Sequence, residues 1–217
     1  MRRVAIYDLD KTLTRRPTFT PFLVFAARRL APWRLVLVPL WIAAMGGYKV
    51  GLYSRTALKT FGMRLMTGRA DEAGLVSIGN VFAKRFLRTS GTMPRVMRLL
   101  EEDRETGAKV LIATAAFRFY ANAFARELGI ADVIATEWDG RRIPGGNCYG
   151  AEKHRRVLTW LARECGGRGE VHLRFASDSF ADSPLLDEAD EAIFVSNRRK
   201  KRDEATRRGW SAISGLN

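Results

Sequence analysis

Short apolar segments alternate with helical patterns along most of this chain, and this alternation restricts the possible folds more than any other feature. Five such segments span residues 4–7, 109–113, 132–136, 171–176 and 192–195. Most are continuous and rich in β-branched residues, which is typical of strands buried on both faces. Helical spacing fills several of the intervals, as with Tyr120, Phe124 and Leu128 before Gly129. The alternation therefore predicts an α/β fold, a doubly wound parallel sheet covered by helices on both faces.

Residues 16–92 interrupt this alternation. They show helical patterns and no convincing strand, although they contain the most apolar stretch of the chain, residues 35–48, which has no charged side chain. We predict that they form a helical insertion after the first strand. Residues 1–15 and 93–217 would then form one core, which a chain of 217 residues is long enough to support.

The chain is strongly basic. Its 37 Lys and Arg residues exceed its 23 Asp and Glu residues, so its formal net charge is +14. This balance favours anionic partners: nucleic acid, an anionic membrane surface or a phosphorylated substrate. General surface charge is the alternative, because basic residues are spread along the chain and only residues 198–202 form a tight cluster. No helix-turn-helix, zinc-finger or RNA-recognition pattern accompanies that cluster, so no nucleic-acid partner is expected.

Two features predict a cytoplasmic protein. Cys148 and Cys165 form neither a disulfide framework nor a metal-binding spacing, which fits a reducing compartment. The first ten residues do not resemble a signal peptide, because Asp8 and Asp10 interrupt the apolar segment. The oligomeric state is left open.

Polar residues that can do chemistry follow the predicted strands. Asp8-Leu-Asp10-Lys-Thr12 follows the first strand, and paired carboxylates there can supply a nucleophile, a metal ligand or a proton donor. Thr114 ends the strand 109–113, where a hydroxyl and free backbone N–H groups can hold a phosphate oxygen. Alone, the first motif could be a solvated turn and the second a helix cap.

Two further groups complete the set. Lys153 stands at a predicted helix start and offers a point charge to a phosphate, although a lone lysine is usually a solvated surface group. Asp178 and Asp182 follow the strand 171–176, and paired carboxylates suit Mg²⁺, although acidic helix starts are common. Because open α/β sheets bind ligands at the carboxyl ends of their strands, the four groups together predict one active site.

With these motifs in this order, the chain resembles the haloacid dehalogenase (HAD) superfamily of phosphatases, subfamily IB, which includes phosphoserine phosphatase. Residues 137–153, Val195-Ser-Asn197 and Arg208-Gly-Trp210 resemble further parts of the subfamily pattern, so that the resemblance spans essentially the whole chain. It implies a Rossmann-like core with a cap domain at residues 16–92. Lys11 stands where many members have glycine.

The resemblance also implies a role for each group. Asp8 would be the nucleophile that accepts the phosphoryl group, and Asp10 would protonate the leaving oxygen and then activate water. Thr114 and Lys153, with Thr12, would bind the phosphoryl oxygens. Such chemistry depends on positioning and charge neutralisation more than on elaborate covalent steps.

A magnesium ion is the implied cofactor. Asp8, the Asp10 carbonyl and Asp178 would hold it, and Asp182 would support the site. An attacking carboxylate needs a cation beside it, because its repulsion from the phosphate must be cancelled.

The insertion also gives an indication of the substrate class. Its apolar stretch, preceded by Arg28, Arg29 and Arg34, resembles the phosphatidylglycerophosphatase C type, which implies a phospholipid phosphate such as phosphatidylglycerophosphate as substrate. As a helix the stretch would reach about 21 Å, short of the roughly 30 Å hydrocarbon core. Pro39 would also kink it. We therefore predict that it lies at an anionic membrane surface, at the cytoplasmic face of the inner membrane, while the alternative is that residues 35–48 are the core of the cap.

The leading functional prediction is thus an Mg²⁺-dependent phosphomonoesterase acting on a lipid phosphate. The first alternative is the same chemistry on a soluble metabolite such as phosphoserine. A non-enzymatic, nucleic-acid-binding protein is a remote alternative, because such a protein has no need of the paired aspartates.

Overall fold

A single sheet of six parallel strands forms the centre of the molecule in the computed structural model, which describes residues 1–216. The strands are β1 (Arg2–Tyr7), β2 (Lys109–Phe117), β3 (Asp132–Thr136), β4 (Val171–Ser177), β5 (Glu191–Val195) and β6 (Ser211–Ile213). Their order is β3-β2-β1-β4-β5-β6, and each pair is parallel. The predicted doubly wound sheet is confirmed. Its order reverses between β1 and β4, and ligands bind at such a switch point in open α/β sheets.

Nine α-helices accompany the sheet within the described residues. They are α1 (Phe19–Leu30), α2 (Val38–Lys49), α3 (Arg55–Thr67), α4 (Glu72–Ser90), α5 (Pro94–Glu105), α6 (Arg118–Glu127), α7 (Ala151–Cys165), α8 (Ser183–Glu188) and α9 (Arg199–Arg207). No helix among residues 1–216 has both the length and the apolar character that a membrane crossing requires.

The sheet separates two hydrophobic cores. Ala5 and Tyr7 of β1 face the core formed with α5, α6 and the helices of the insertion. Val4 and Ile6 face the opposite core, which α7, α8 and α9 cover. This alternation follows from the twofold side-chain period of a strand, and it requires β1 to be apolar on both faces.

The insertion leaves and re-enters the core at one point. Thr14 and Thr92 form an isolated antiparallel bridge, and the Met93 N–H donates to the Leu13 carbonyl at 3.0 Å. Between these contacts the chain forms α1, a 3₁₀ helix at Pro32–Leu37, α2, α3 and α4. Residues 35–48 do not form one continuous helix: the 3₁₀ helix ends at Leu37 and α2 begins at Val38. Pro39 therefore lies in the first turn of α2, where its missing N–H has no intrahelical partner to lose.

Aromatic side chains join the insertion to the core. Phe22 of α1 stacks on Tyr120 of α6 with ring centroids 4.8 Å apart. Phe82 of α4 packs edge-on against Phe124 of α6 at 5.9 Å. The backbones approach closely beside these rings, because a Cβ at Gly79 would lie 2.9 Å from the Phe119 carbonyl oxygen. The insertion therefore packs into the same hydrophobic core as α5, α6 and one face of the sheet.

Candidate active site

Asp8 leaves the carboxyl end of β1 and remains tied to the sheet. Its N–H donates to the Ala176 carbonyl of β4 at 2.9 Å, and its side chain is buried. The following residues, Leu9–Leu13, form a wide turn closed by the Thr14 N–H on the Leu9 carbonyl at 2.9 Å. The buried side chains of Leu9 and Leu13 anchor this turn in the core. The first motif is thus held rigidly at the switch point of the sheet.

Lys11 occupies an unusual backbone conformation in that turn. Its φ of 58° is the one positive φ of a non-glycine residue in the described chain. A side chain in this region costs roughly 1 kcal/mol or more relative to glycine. Glycine adopts a positive φ without this cost, which is consistent with the glycine that many members of the HAD superfamily have at this position.

Lys153 makes a buried ion-pair network with two aspartates. Its Nζ lies 2.9 Å from Asp8 Oδ1 and 2.6 Å from Asp182 Oδ2, and all three side chains are almost fully buried. The Ser177 hydroxyl donates to the same Asp182 oxygen at 2.7 Å. Lys153 stands in the first turn of α7, after Gly150, whose φ of 58° suits glycine. This network fixes one positive charge against the Asp8 carboxylate.

Burial dominates the electrostatics of the site. It raises the pKa of Asp8 to about 7, with Asp182, Asp178 and Asp10 adding to the rise and Lys153 opposing it. It also raises the pKa of Asp178 to about 6, against the opposing charges of Lys11 and Lys201. Burial disfavours the charge of Lys153, yet Asp182 and Asp8 raise the pKa of its ammonium overall. The site holds more carboxylates than its buried lysine can neutralise.

Asp10 faces a different direction from Asp8. Its Oδ1 accepts the Thr18 N–H at 2.8 Å, just before the first helix of the insertion. Burial raises the pKa of Asp10, and the hydrogen bonds from Thr18 oppose this rise. A carboxyl group whose pKa is raised holds its proton more readily, which suits a proton donor.

Six of the seven predicted site residues converge on one cavity of about 390 Å³ at the carboxyl ends of β1 and β4. The predicted residues that line it are Asp8, Asp10, Thr114, Lys153, Asp178 and Asp182. Thr12 does not line it; its hydroxyl is buried and has no hydrogen-bond partner within the described residues. Thr114 lies inside β2 rather than at its end, because β2 continues to Phe117 beyond a shift in its register with β3 at Ala113. The Thr114 hydroxyl accepts the Ala116 N–H at 3.1 Å.

Several other lining residues were not predicted as site residues, among them Lys11, Arg55, Tyr149 and Lys201. Arg55 comes from α3 of the insertion, and its guanidinium lies 4.1 Å from the centre of the Tyr149 ring. Lys201 belongs to the basic cluster at residues 198–202, so its charge was a usable signal. Nothing in the sequence around Arg55 distinguishes it from other surface arginines.

The lining residues fit a magnesium ion. Within residues 1–216 no three His, Cys, Asp or Glu side chains cluster closely enough to hold a metal by themselves. Mg²⁺ does not need such a cluster, because one or two carboxylates, with water and substrate oxygens, commonly complete its octahedron. Asp8 and Asp178 both line the cavity, and the charge of such an ion would offset their mutual repulsion.

Comparison with known proteins identifies the family. The model of the haloacid dehalogenase-like hydrolases matches residues 5–187. The protein CicA of Caulobacter vibrioides is 31% identical over 194 residues, which cover 85% of this chain and 82% of CicA. A protein of unknown function from Bordetella pertussis Tohama I has a structure with a TM-score of 0.88 and 26% identity over the whole of both chains.

A phosphoserine phosphohydrolase-like protein from Francisella tularensis subsp. tularensis SCHU S4 has the same fold, with a TM-score of 0.62 and 15% identity over 97% of this chain and 94% of that one. The matches confirm the predicted superfamily, its fold and the prediction of an enzyme, a hydrolase. The chain belongs to the family of haloacid dehalogenase-like hydrolases.

Proposed function

We propose that this hydrolase is an Mg²⁺-dependent phosphomonoesterase of subfamily IB that forms an aspartyl-phosphate on Asp8. The observation that carries the proposal is the convergence of Asp8, Asp10, Thr114, Lys153 and Asp178 on one cavity. Family membership supports hydrolysis, and these groups supply what phosphoryl transfer needs: a nucleophile, a proton donor and positive charge.

The first half-reaction transfers the phosphoryl group to Asp8. A carboxylate oxygen of Asp8 attacks phosphorus, and the bond from phosphorus to the leaving oxygen breaks. Asp10 gives its proton to that oxygen. Lys153 and the Thr114 hydroxyl hold the equatorial oxygens, and Asp182 keeps the ammonium of Lys153 in place through their 2.6 Å contact. The leaving group thus departs with its oxygen protonated, as an alcohol.

The second half-reaction releases phosphate. The Asp10 carboxylate takes a proton from a water molecule, whose oxygen attacks phosphorus as the bond to Asp8 breaks. Asp8 is regenerated as a carboxylate and Asp10 as an acid. Asp8, Asp178 and the backbone carbonyl of Asp10 would hold Mg²⁺, which supplies neutralising charge for the attacking and transferred groups.

We further propose that residues 16–92 act as a cap on a core formed by residues 1–15 and 93–217. Two contacts of α3 support this division. Arg55 lines the cavity beside core residues, and Lys59 Nζ donates to the Ala115 carbonyl at 2.5 Å and to Asn147 Oδ1 at 2.8 Å. The helix thus contributes Arg55, a side chain of the insertion, to the lining of the cavity.

The proposed substrate is a phospholipid phosphate such as phosphatidylglycerophosphate. Lys11, Arg55 and Lys201 add three positive charges to the cavity beyond Lys153, which favours a substrate with a second anionic group near the scissile phosphate. A phosphodiester beside a phosphomonoester meets this requirement. A soluble metabolite with a carboxylate, such as phosphoserine, meets it as well and remains the alternative, and the fold shared with phosphoserine phosphohydrolase-like proteins favours it equally.

A phosphate-release panel tests the function. The full-length protein is assayed with phosphatidylglycerophosphate, phosphatidate, phosphoserine and nucleoside monophosphates, in Mg²⁺ and in excess EDTA. We expect release with Mg²⁺, loss of release in EDTA and the highest kcat/KM for a substrate with a second anionic group. Absence of release from every compound with Mg²⁺ would overturn the proposed function, and full activity in EDTA would overturn the cofactor.

The proton-donor role of Asp10 makes a separate prediction. In Asp10→Asn, kcat/KM for an alkyl phosphate is expected to fall by about 10²–10⁴, because an alkoxide leaving group needs a proton. The fall for p-nitrophenyl phosphate should be at least about tenfold smaller, since its leaving group is already a weak base. Equal losses on both substrates would remove the acid role from Asp10. Asp71→Asn, at the exposed N-terminus of α4, is the matched control and should leave both values unchanged.

A further inference from the structure

Exposed apolar side chains are concentrated in one part of the insertion. Of the eleven large apolar side chains that are exposed in the described chain, eight lie between residues 30 and 61. They are Leu30, Trp33, Val36, Leu40, Ile42, Val50, Leu52 and Phe61. Apolar side chains scattered singly over a surface are ordinary, but such a concentration marks an interaction surface.

Helix α2 shows how this surface arises. One side of α2 packs inward through Trp41, whose ring meets Phe19 edge-on at 5.8 Å and whose Nε1 donates to the Thr20 hydroxyl at 3.3 Å. The opposite side exposes Leu40, Ile42, Ala43 and Gly46, where a helix at a protein surface normally presents polar residues. We call these four residues, together with Trp33 and Val36 of the preceding 3₁₀ helix, the outer apolar face.

The same segment holds most of the net charge of the molecule. Residues 11–70 contain no Asp or Glu at all, and residues 16–92 contain twelve Lys and Arg against two acidic residues. The insertion therefore carries +10 of the formal charge of +14. Basic residues occur along the whole chain, but acidic residues offset most of them in the core and few of them in the insertion.

An apolar groove with a basic rim extends this pattern between α1 and α4. The groove has a volume of about 500 Å³, and Phe25, Phe82 and Phe86 are among its lining residues. Four arginines surround these rings: Arg16, Arg28, Arg29 and Arg85. Guanidinium groups beside apolar rings suit a partner that offers phosphate groups next to hydrocarbon.

We propose that the insertion docks on an anionic lipid bilayer, with the outer apolar face in the headgroup region and the surrounding basic residues on the lipid phosphates. A second copy of the chain is disfavoured as the occupant, because two insertions of charge +10 would repel each other. Docking requires no catalytic residue, so it does not depend on the proposed function.

Sedimentation with vesicles tests the docking. The full-length protein is mixed with phosphatidylcholine vesicles, or with vesicles that also contain phosphatidylglycerol, at low and at high salt. We expect binding to the anionic vesicles that weakens with salt and does not vanish, because the apolar contribution is not screened. Absence of binding to either vesicle, at either salt concentration, would overturn the proposal.

Two double variants separate the apolar from the electrostatic contribution to vesicle binding. Leu40→Ser/Ile42→Ser should lower the salt-resistant part of the partition coefficient at least about fivefold, because it removes apolar area from the outer face. Arg28→Gln/Arg29→Gln should lower partitioning at low salt by about tenfold or more. Val81→Ser, at an exposed apolar position of α4, is the matched control and should bind like the wild type. Circular dichroism must show unchanged melting for each variant.

The remaining outcomes are also informative. If Leu40→Ser/Ile42→Ser binds vesicles like the wild type, the outer apolar face is not the contact and the proposal fails. If the wild type ignores vesicles but forms a dimer that this double variant abolishes, a second copy occupies the face instead. Asp8→Asn should dock normally, so a failure of docking and a failure of the proposed catalysis are distinguishable.

Discussion

Replacement of Asp8 by asparagine is expected to lower kcat for phosphate release by at least about a thousandfold, because it removes the nucleophile on which the covalent route depends. The change keeps the size and planarity of the side chain. It also keeps an oxygen that can accept a hydrogen bond from Lys153, 2.9 Å away in the wild type. The fold should therefore persist while turnover is lost.

An acid quench during turnover of a ³²P-labelled substrate provides the direct measurement. The wild type should retain label on the protein, and Asp8→Asn should retain none. Asp203→Asn, at an exposed position of α9, should match the wild type in both label and turnover. An Asp8→Asn enzyme with more than about a tenth of wild-type activity would contradict the assignment of the nucleophile.

Replacement of Lys153 by methionine is expected to destabilise the protein by about 3–5 kcal/mol, the usual cost of removing one partner of a buried ion pair. The loss is large because Asp8 and Asp182 would both remain buried without their cation. Methionine keeps most of the length and volume of lysine, so a cavity contributes little. Equilibrium urea denaturation measures the change in the free energy of unfolding.

Lys109→Met is the matched control for this measurement. Lys109 pairs with Glu164 at 3.3 Å, but both side chains are about one-third exposed. Solvent screening limits such a pair to about 1 kcal/mol or less. If both lysine variants lose the same small amount of stability, the network around Lys153 does not hold the site together as described.

The sheet was largely predictable because its central strands are buried on both faces. Such strands appear in a sequence as short, continuous apolar segments. Strands β1, β2, β4 and β5 all begin within two residues of their predicted positions. The edge strand β6 was missed because Ser211–Ile213 has only three residues and follows an isolated tryptophan, so no apolar segment stands out.

The candidate site was predictable for the residues that follow strands. The carboxyl ends of parallel strands lie at one edge of the sheet. The proximity of Asp8, Thr114 and Asp178 could therefore be predicted from the sequence. Arg55 and Tyr149 could not, because their approach depends on how α3 packs over the core. The direction of the Asp10 side chain, toward Thr18, likewise depends on the turn at Leu9–Leu13.

The apolar stretch at residues 35–48 shows a different limit of sequence patterns. The sequence left open whether this stretch is the core of the cap or lies at a membrane surface. In the structure one side of α2 is buried and the other is exposed: Trp41 is 1% exposed, whereas Ile42 beside it is 58% exposed. A helix reveals its buried side through the contrast between apolar and polar positions. Where every position is apolar, that contrast disappears, and only the tertiary structure identifies the outer side.

The aromatic packing between insertion and core also determines how the cavity can open. Phe22 and Phe82 fix α1 and α4 to Tyr120 and Phe124 of α6, so swinging the whole insertion away would expose several stacked rings to water. Helix α3 is held to the core near the cavity through Lys59, and burial lowers the pKa of Lys59 to about 7. Separating α1 and α4 from α6 would therefore cost the burial of these rings, whereas a movement of α3 away from the cavity would break the hydrogen bonds of Lys59.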